Sequence, residues 1–320
     1  MKYETAGDPM TGLLWTLKTR EKIANELSKG GFKIGKTTVG KILKKMSYSL
    51  KSNSKKVSNG GKKLSKEEKE KRDAQFHYIE KVREKFKKYG LPIISVDGKK
   101  KELIGNFKNP GTRVKRVEDL VNDHDFIHYA IGKALPSGLF DPNWQEGYVY
   151  IGQSLWDAES KSFTSSETPE FAAENVLRWW RDYGIKRYPS ANEVLILADA
   201  GGSNSYRSRV WKMKVQELLC KQYGLEVTVC HFPPGASKWN PIEHRLFSEI
   251  TKNWRGTPLT SFETVLKYIR TTRTKTGLKV YSRLVKKEYK TGKSVSDKIF
   301  KNIKLESHDI LPEWNYTLYS

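Results

Sequence analysis

Cysteine is nearly absent from the 320-residue chain: Cys220 and Cys230 are its two thiols. Their spacing fits neither a CxxC redox pair nor a zinc ribbon, and both lie in apolar runs, so the expectation is two buried structural thiols, with no disulfide and no structural zinc. No stretch is long and apolar enough to span a bilayer, and the opening MKYETAGDPM lacks the apolar core of a signal peptide. A soluble, intracellular protein is expected on those grounds. Acidic residues are outnumbered, 36 Asp+Glu against 59 Lys+Arg, for a formal net charge of +23. That balance calls for a polyanionic partner: nucleic acid first, with an anionic membrane surface as the rival that the missing apolar run argues against. No internal repeat is visible.

What is present is enough to fold. A hydrophobic content of 37% and an aromatic content of 12% describe a globular chain, long enough for one large or two modest domains. Residues 1–14 read as a leader. Within residues 15–50, two short helices are predicted: one over residues 19–29 with Ile23, Ala24 and Leu27 on one face, then a GG turn, then one from near Lys36 with Val39, Ile42 and Leu43 inward. The second carries Lys36, Thr37, Thr38, Lys41, Lys44 and Lys45. This is the pattern of a helix-turn-helix whose second helix enters the major groove, the expectation here, with a helical hairpin bearing a solvated basic face as the competing reading.

Residues 51–72 are polar and lysine-rich with no apolar period, and read as a flexible basic linker. A helix through AQFHYIEKVREKFKKYG follows. Next come apolar runs at LPIISVD, KELIGNF, KALPSGLF and GYVYIGQ, a helix at PEFAAENVLRWWRDYG, a strand at EVLILAD, a helix at RSRVWKMKVQELLCKQYG, a strand at LEVTVCHF, and a helix opening at Asn240. Strands in a group, then strands alternating with helices, predict a mixed α/β sheet. The Ser- and Thr-rich run 154–170 reads as a surface loop in which Asp157, Glu159, Glu167 and Glu170 are solvated.

Two strands end in aspartate, IISVD at Asp97 and LILAD at Asp199. Side chains at the carboxyl ends of such strands point into the crevice where ligands bind, so the pair suggests a hard divalent cation acting on phosphate. Either aspartate alone fits a turn former or helix cap as well. Glu243 lies 44 positions after Asp199 (243 − 199), beyond one helix and one strand, so its helix can fold back and add a third carboxylate. Locally, though, Asn240 as N-cap, Pro241 at N1 and Glu243 at N3 make an approximate capping box.

Beyond these local signals, LPIISVDGKKKELIGNFKN, ILADAGGSNSYRSRVWKMKVQEL and above all VCHFPPGASKWNPIEHRLFSEITKNWRG resemble the blocks of the Rhodopirellula-type DDE insertion-sequence transposases, a family with a retroviral-integrase, ribonuclease-H-like core. TTRTKTGLKV and HDILPEWNYTL are similar too, so the resemblance runs from GDPMTGLLWT to the C-terminus. It implies a catalytic domain over residues 73–275, followed by a C-terminal extension over residues 276–320. It also implies that Asp97, Asp199 and Glu243 bind two Mg²⁺ (or Mn²⁺) ions. The implied chemistry is attack of water on a phosphodiester at the element's end, then attack of the freed 3′-hydroxyl on target DNA. Double-stranded DNA is the implied partner, a homo-oligomer on DNA the implied assembly, and the bacterial cytoplasm, at the nucleoid, the implied location. Family members begin well before GDPM, so the chain is expected to lack part of the family's DNA-binding region. That leaves a truncated or domesticated non-catalytic DNA-binding protein as one alternative and a structure-selective nuclease with the same core as another.

Basic residues beside the acids are candidates for holding phosphates: Lys99, Lys100 and Lys101 after Asp97, Arg207, Arg209, Lys212 and Lys214 after Asp199, and Lys238 before Glu243. For Lys212 and Lys214 a solvated helix face is the competing reading. Asn204, Asn240 and His244 are candidate supports for a scissile phosphate or a metal-bound water, against the ordinary role of satisfying backbone groups. Trp239 is expected to pack beneath the Glu243 helix rather than to stack on a base, His231 to terminate a strand, residues 122–126 (NDHDF) to form a turn, and residues 178–180 (RWW) to face the core.

Overall fold

The computed structural model describes residues 5–7, 14–16, 18–46, 48 and 65–320. The chain divides into two compact units, Met1–Ser58 and Asn59–Ser320. Most of the expected leader and residues 51–64 of the expected linker lie outside the described residues.

In the first unit, strands β1 (Thr5–Gly7) and β2 (Leu14–Thr16) pair antiparallel. Helix α1 (Arg20–Lys29) starts where Thr19 accepts a hydrogen bond from the Lys22 N–H at 3.2 Å, and stops at Gly30, before Gly31 takes a φ of +88°. Helix α2 (Lys36–Lys45) follows. Ile23, Ala24 and Val39 form the buried core, with Leu27, Ile34 and Leu43 packed partly against it. Ile42, expected inward, is 39% exposed. Two helices this short share a single contact strip, and Val39 with Leu43, four residues apart, occupies it, so Ile42 falls to the side.

The second unit opens with helix α3 (Lys66–Lys88), which begins inside the run expected to be linker. A reciprocal capping box starts it: the Glu68 N–H donates to Ser65 Oγ at 3.0 Å and the Ser65 N–H to Glu68 Oε2 at 2.7 Å. Its first turns, KEEKEKR, carry no apolar stripe, and so look like linker in a periodicity reading.

A ten-stranded sheet forms the centre. Strands β3 (Ile93–Gly98), β5 (Gly132–Asp141) and β6 (Glu146–Asp157) make an antiparallel meander, and β8 (Glu193–Asp199) and β9 (Glu226–Phe232) add parallel on the other side of β3. The order β6-β5-β3-β8-β9, with only β5 reversed, is that of the ribonuclease-H-like fold. Short β4 (Glu102–Ile104) and β7 (Ser162–Phe163) pair with β5 and β6. Residues 276–320, expected as an extension, instead complete both edges. Strand β10 (Lys279–Val285) pairs parallel with β6, while β12 (Asn315–Leu318) pairs with β9 and carries β11 (Leu305–Ser307). Short α10 (Asp297–Phe300) joins them.

Both faces are covered, which is why β8 reads as a continuous apolar run. On one face lie α4 (Pro169–Trp179), continued by a π turn (Trp180–Gly184) and α5 (Ile185–Arg187), and α6 (Arg209–Val215), continued by a π turn (Gln216–Cys220) and α7 (Lys221–Tyr223). Ile94, Val96, Leu139, Phe171, Trp179 and Trp211 meet there. Burying a side chain such as Phe171 contributes about 1.5–3 kcal/mol. On the opposite face, a π turn (Glu243–Phe247), α8 (Ser248–Trp254) and α9 (Phe262–Arg270) pack over Phe140, Val149 and Ile151, and α3 packs over Ile93, Leu195 and Leu197.

The run 154–170 is a hairpin rather than a solvated loop. Trp156 pairs with Phe163, while Ser165, Thr168 and Glu170 are buried. Its polar side chains are satisfied inside: Ser154 Oγ donates to the Ser165 carbonyl at 2.6 Å, and the Tyr289 N–H donates to Ser165 Oγ at 2.9 Å. Of its acids, Glu159 is exposed, but Glu170 lies under Lys293 and Glu167 is largely enclosed. Cys220 and Cys230 are buried free thiols, and burial pushes both up to about 12.

Candidate active site

Strands β3 and β8 are parallel neighbours with Val96 opposite Ala198, so the next residue on each, Asp97 and Asp199, stand side by side at the carboxyl ends. Side chains alternate across a strand. Val96 faces the α4 side, and Asp97 and Asp199 therefore both face the other. The third acid reaches this same face through a close approach. Gly138 on β5 lies opposite Asp97 in register, and a Cβ there would stand 2.5 Å from Phe247 Cε1 and 3.1 Å from Ile242 Cδ1. Because Gly138 has no side chain, the segment bearing Glu243 settles directly on the sheet beside Asp97. Leu246 seats against Gly147 of β6 in the same way, 2.4 Å from where a Cβ would be.

Electrostatics reports the proximity. Asp97 is pushed up to about 8, first by burial, then by the Asp199 charge, with Glu243 adding to it and the Gly98 N–H, which donates to Asp97 Oδ1 at 2.7 Å, opposing. Asp199 is also raised, by burial and then by Glu243, against the hydrogen bond from Asn240 Nδ2 to its Oδ1 at 3.0 Å. Among the described residues no three acid, imidazole or thiol groups close on one metal-ligating position. The donor set is nevertheless all carboxylate oxygen, half-buried and of one acidic type, and that chemistry fits a hard divalent cation.

The local alternative for Glu243 is realised only in its Asn240 half. Asn240 does cap the turn, its Oδ1 accepting from the Ile242 N–H at 3.5 Å while its Nδ2 donates to Asp199, but the Asn240 N–H donates to the Ser237 carbonyl at 2.9 Å instead of to Glu243, so no reciprocal capping box forms. Asn204 is buried behind the pair: its Nδ2 donates to the Val96 carbonyl at 3.0 Å, and its own carbonyl meets His231 Nε2 at 3.0 Å. His231, near the end of β9, is fully buried, with Nδ1 3.0 Å from the Trp314 carbonyl. His244 is exposed and turned to the Lys238 carbonyl.

The expected phosphate-binding residues separate into two groups. Lys100, Lys101, Arg207 and Lys238 are exposed, and Lys100 and Lys238 line the cleft that Glu243 also lines. Lys99 is not available: it is 8% exposed, its Nζ is 2.8 Å from Glu102 and 4.6 Å from the Trp254 ring centroid. Asp97 and Lys99 share a face, so strand alternation points Lys99 inward. Arg209 pairs with Asp297, Lys214 with Glu217, and Lys212 lies over Tyr316, where burial holds its amine below the usual range. Lys36, Thr37, Thr38, Lys41, Lys44 and Lys45 are all exposed on α2. Trp239, expected beneath the helix, is 58% exposed: it meets the edge of Phe76, 5.7 Å between ring centroids, and Lys238 Nζ lies 5.6 Å from its ring centroid. Residues 122–126 form a turn, and Trp179 and Trp180 are buried.

A cleft of about 740 Å³ opens along Glu243, lined by Lys100, Lys238, His244, Phe247, Ser248 and Trp254 among others. Three contributors gave no signal in the sequence: Gly138, which admits the third acid; Glu102, which withdraws Lys99; and Glu167, whose carboxylate lies on the backbone of Gly98.

A ribonuclease-H-like sheet with an aspartate on each of two adjacent strands and a glutamate folded onto them is the arrangement of a DDE-type domain. The chain matches the family described as Rhodopirellula transposase DDE domain over residues 1–320, and it belongs to that family. Comparison with curated protein sequences returns no match. Among solved structures, similar chains occur in the Mos1 transposase paired-end complex with left transposon end (14% identity, TM-score 0.45, 79% of this chain and 65% of that chain), the Mos1 mariner paired-end complex with Mn (16%, 0.44, 79% and 65%) and the Mos1 strand transfer complex (15%, 0.43, 79% and 64%). The chain thus spans 65% of the length of the first of these. No helix among the described residues is long and apolar enough to cross a membrane.

Proposed function

We propose that this protein cleaves and joins DNA strands at the ends of a mobile element, with Asp97, Asp199 and Glu243 holding two Mg²⁺ or Mn²⁺ ions. The observation that carries the reading is the gathering of these three carboxylates, from β3, β8 and the π turn over Gly138, onto one face of the sheet. Bound there, the cations would supply charge stabilisation at the scissile phosphate and lower the proton affinity of an attacking oxygen.

The chain's own residues supply placement. Asn240 fixes the orientation of the Asp199 carboxylate, and Asn204 ties the loop after Asp199 to the end of β3. Lys100, Arg207 and Lys238 present charge to the DNA backbone, which gives salt-dependent affinity without reading sequence. The cleft beside Glu243 accepts the strand leaving the site. In the first unit, α2 presents Lys36, Thr37, Thr38, Lys41, Lys44 and Lys45 to duplex DNA as the second helix of a helix-turn-helix. Hydrolysis at the element's end leaves a 3′-hydroxyl, whose oxygen then attacks a target phosphodiester and displaces that strand's own 3′-oxygen. Two ends have to be joined, so the working form contains more than one copy of the chain.

The test is cleavage of labelled duplexes carrying the element's ends, with Mg²⁺ or Mn²⁺, comparing the native chain with Asp199→Ala and Glu243→Ala. Cleavage at one defined position, lost in both variants while DNA binding persists, is the expected result. Binding without cleavage by the native chain would leave a DNA-binding protein and overturn the catalytic reading.

A further inference from the structure

Glu167 stands immediately before Thr168, the cap of α4, and its neighbours are pinned. The Ser166 N–H donates to the Tyr289 carbonyl at 2.8 Å, Ser165 Oγ accepts from the Tyr289 N–H, and Thr168 Oγ1 accepts from the Phe171 N–H at 3.2 Å. From this anchored position the carboxylate enters the end of the sheet between the two aspartate-bearing strands. On one side it lies against Gly98, the residue after Asp97: a Cβ there would be 1.9 Å from Glu167 Oε1 and 2.7 Å from Cδ. On the other it accepts a hydrogen bond at 3.2 Å from Ser203 Oγ, in the loop that follows Asp199. Burial raises the carboxyl above its ordinary value, with Lys101 and Ser203 opposing. Gly98 and Asp97 alternate across β3, so Glu167 reaches the strand from the α4 side, behind the acid cluster.

We infer that Glu167 is a positioning residue for the cation site: a strut, fixed to α4, that sets the separation of the Asp97 and Asp199 turns by touching both. The inference rests on the reading of Asp97, Asp199 and Glu243 as the cation-binding acids. Its physical basis is that ligands on two different loops must be held to within about 0.5 Å for a cation to bind well, and that partners behind the ligands supply this hold. Gly98 is glycine because any side chain would occupy the strut's seat.

Calorimetric titration of the full chain with Mn²⁺ alone tests it, beside thermal unfolding of each variant. Glu167→Ala is expected to weaken Mn²⁺ binding by about 10- to 100-fold with the cooperative fold retained. Glu167→Gln, which keeps the acceptor and the volume, is expected to recover most of that loss. Ser203→Ala should give a smaller loss that does not add to Glu167→Ala in the double variant. Native Mn²⁺ affinity in Glu167→Ala, with binding lost in Asp199→Ala, would overturn the strut while leaving the cation site intact. A Gln variant as weak as Ala would overturn it too, because charge rather than contact would then be what matters. If Glu167→Ala fails to fold, Ser203→Ala decides, and native affinity there counts against the strut. Native affinity in Asp199→Ala would remove the cation site itself, and the strut with it.

Discussion

The side-chain amide of Asn240 donates to Oδ1 of Asp199 at 3.0 Å, so the segment that delivers the third acid also holds the second. Asn240 is fully buried, and its backbone N–H is occupied by Ser237. The arrangement makes Asn240 part of the site's electrostatics, since a donor to the charged carboxylate opposes the upward push of burial on Asp199.

Removing that donor in Asn240→Ala should raise Asp199 further. A hydrogen bond to a charged group is worth about 1.5–3 kcal/mol, so the acid limb of the Mn²⁺-binding profile should move upward by about 1–2 pH units. Titrations across the range read it directly, and an unmoved limb would mean the contact does not control Asp199.

Gly138→Ala should press on Phe247 and Ile242, the residues that seat the Glu243 segment. Overpacking of this kind costs about 1–3 kcal/mol, and a displacement of the third acid by about 1 Å should lower end cleavage by about 100-fold. Chemical unfolding and cleavage rates on one preparation check both. Gly224→Ala, a turn glycine with φ +68° and nothing within 4 Å of its absent Cβ, is the comparison: it should lose some stability through backbone strain and keep cleavage.

Glu243→Gln separates chemistry from capping. Because the Asn240 N–H bonds Ser237 rather than Glu243, stability should stay within about 0.5 kcal/mol of native while cleavage falls by roughly a thousandfold or more. A clear loss of stability would restore the helix-cap role.

His231 predicts a pH dependence of folding. Burial holds its ring down to about 4 from 6.5, against the carbonyls of Trp314 and Asn204, which favour the charged ring. The folded state therefore binds fewer protons than the unfolded state between those values. The contribution of His231 is fully present above about pH 6.5 and falls as the pH drops toward 4, by up to about 3 kcal/mol. Urea unfolding at several pH values should show this decline, and His231→Gln should lack it.

The first unit makes an ionic-strength prediction. Lys41→Ala, Lys44→Ala and Lys45→Ala each take one exposed cation from α2, and if α2 meets the DNA backbone as proposed each should flatten the slope of log K against log salt by about 0.9. Lys99→Ala, buried against Glu102 and Trp254, should instead leave the slope unchanged and destabilise the fold.

Much of this was written locally. The apolar run of β8 ending at Asp199 and the apolar spacing of α1 and α2 are properties of neighbouring residues, and periodicity and residue type suffice to read them, whereas Glu243 read locally as part of a helix cap and as a site residue only through the family resemblance. The start of α3 escaped because a capped, charged helical turn has no apolar stripe. The half-burial of Glu167 and the burial of Glu170 escaped because the groups satisfying them, Ser203 and Lys293, lie far along the chain. Residue type alone also made Lys99 look free for DNA. Its withdrawal follows from strand alternation and from Trp254, in a distant part of the chain. Sequence determined which acids, glycines and cations exist and on what elements they ride. Tertiary structure decided which of them meet, because the approach of the Glu243 segment over Gly138, the bond from Asn240 to Asp199 and the seat of Glu167 on Gly98 are contacts between separate segments that no local pattern encodes.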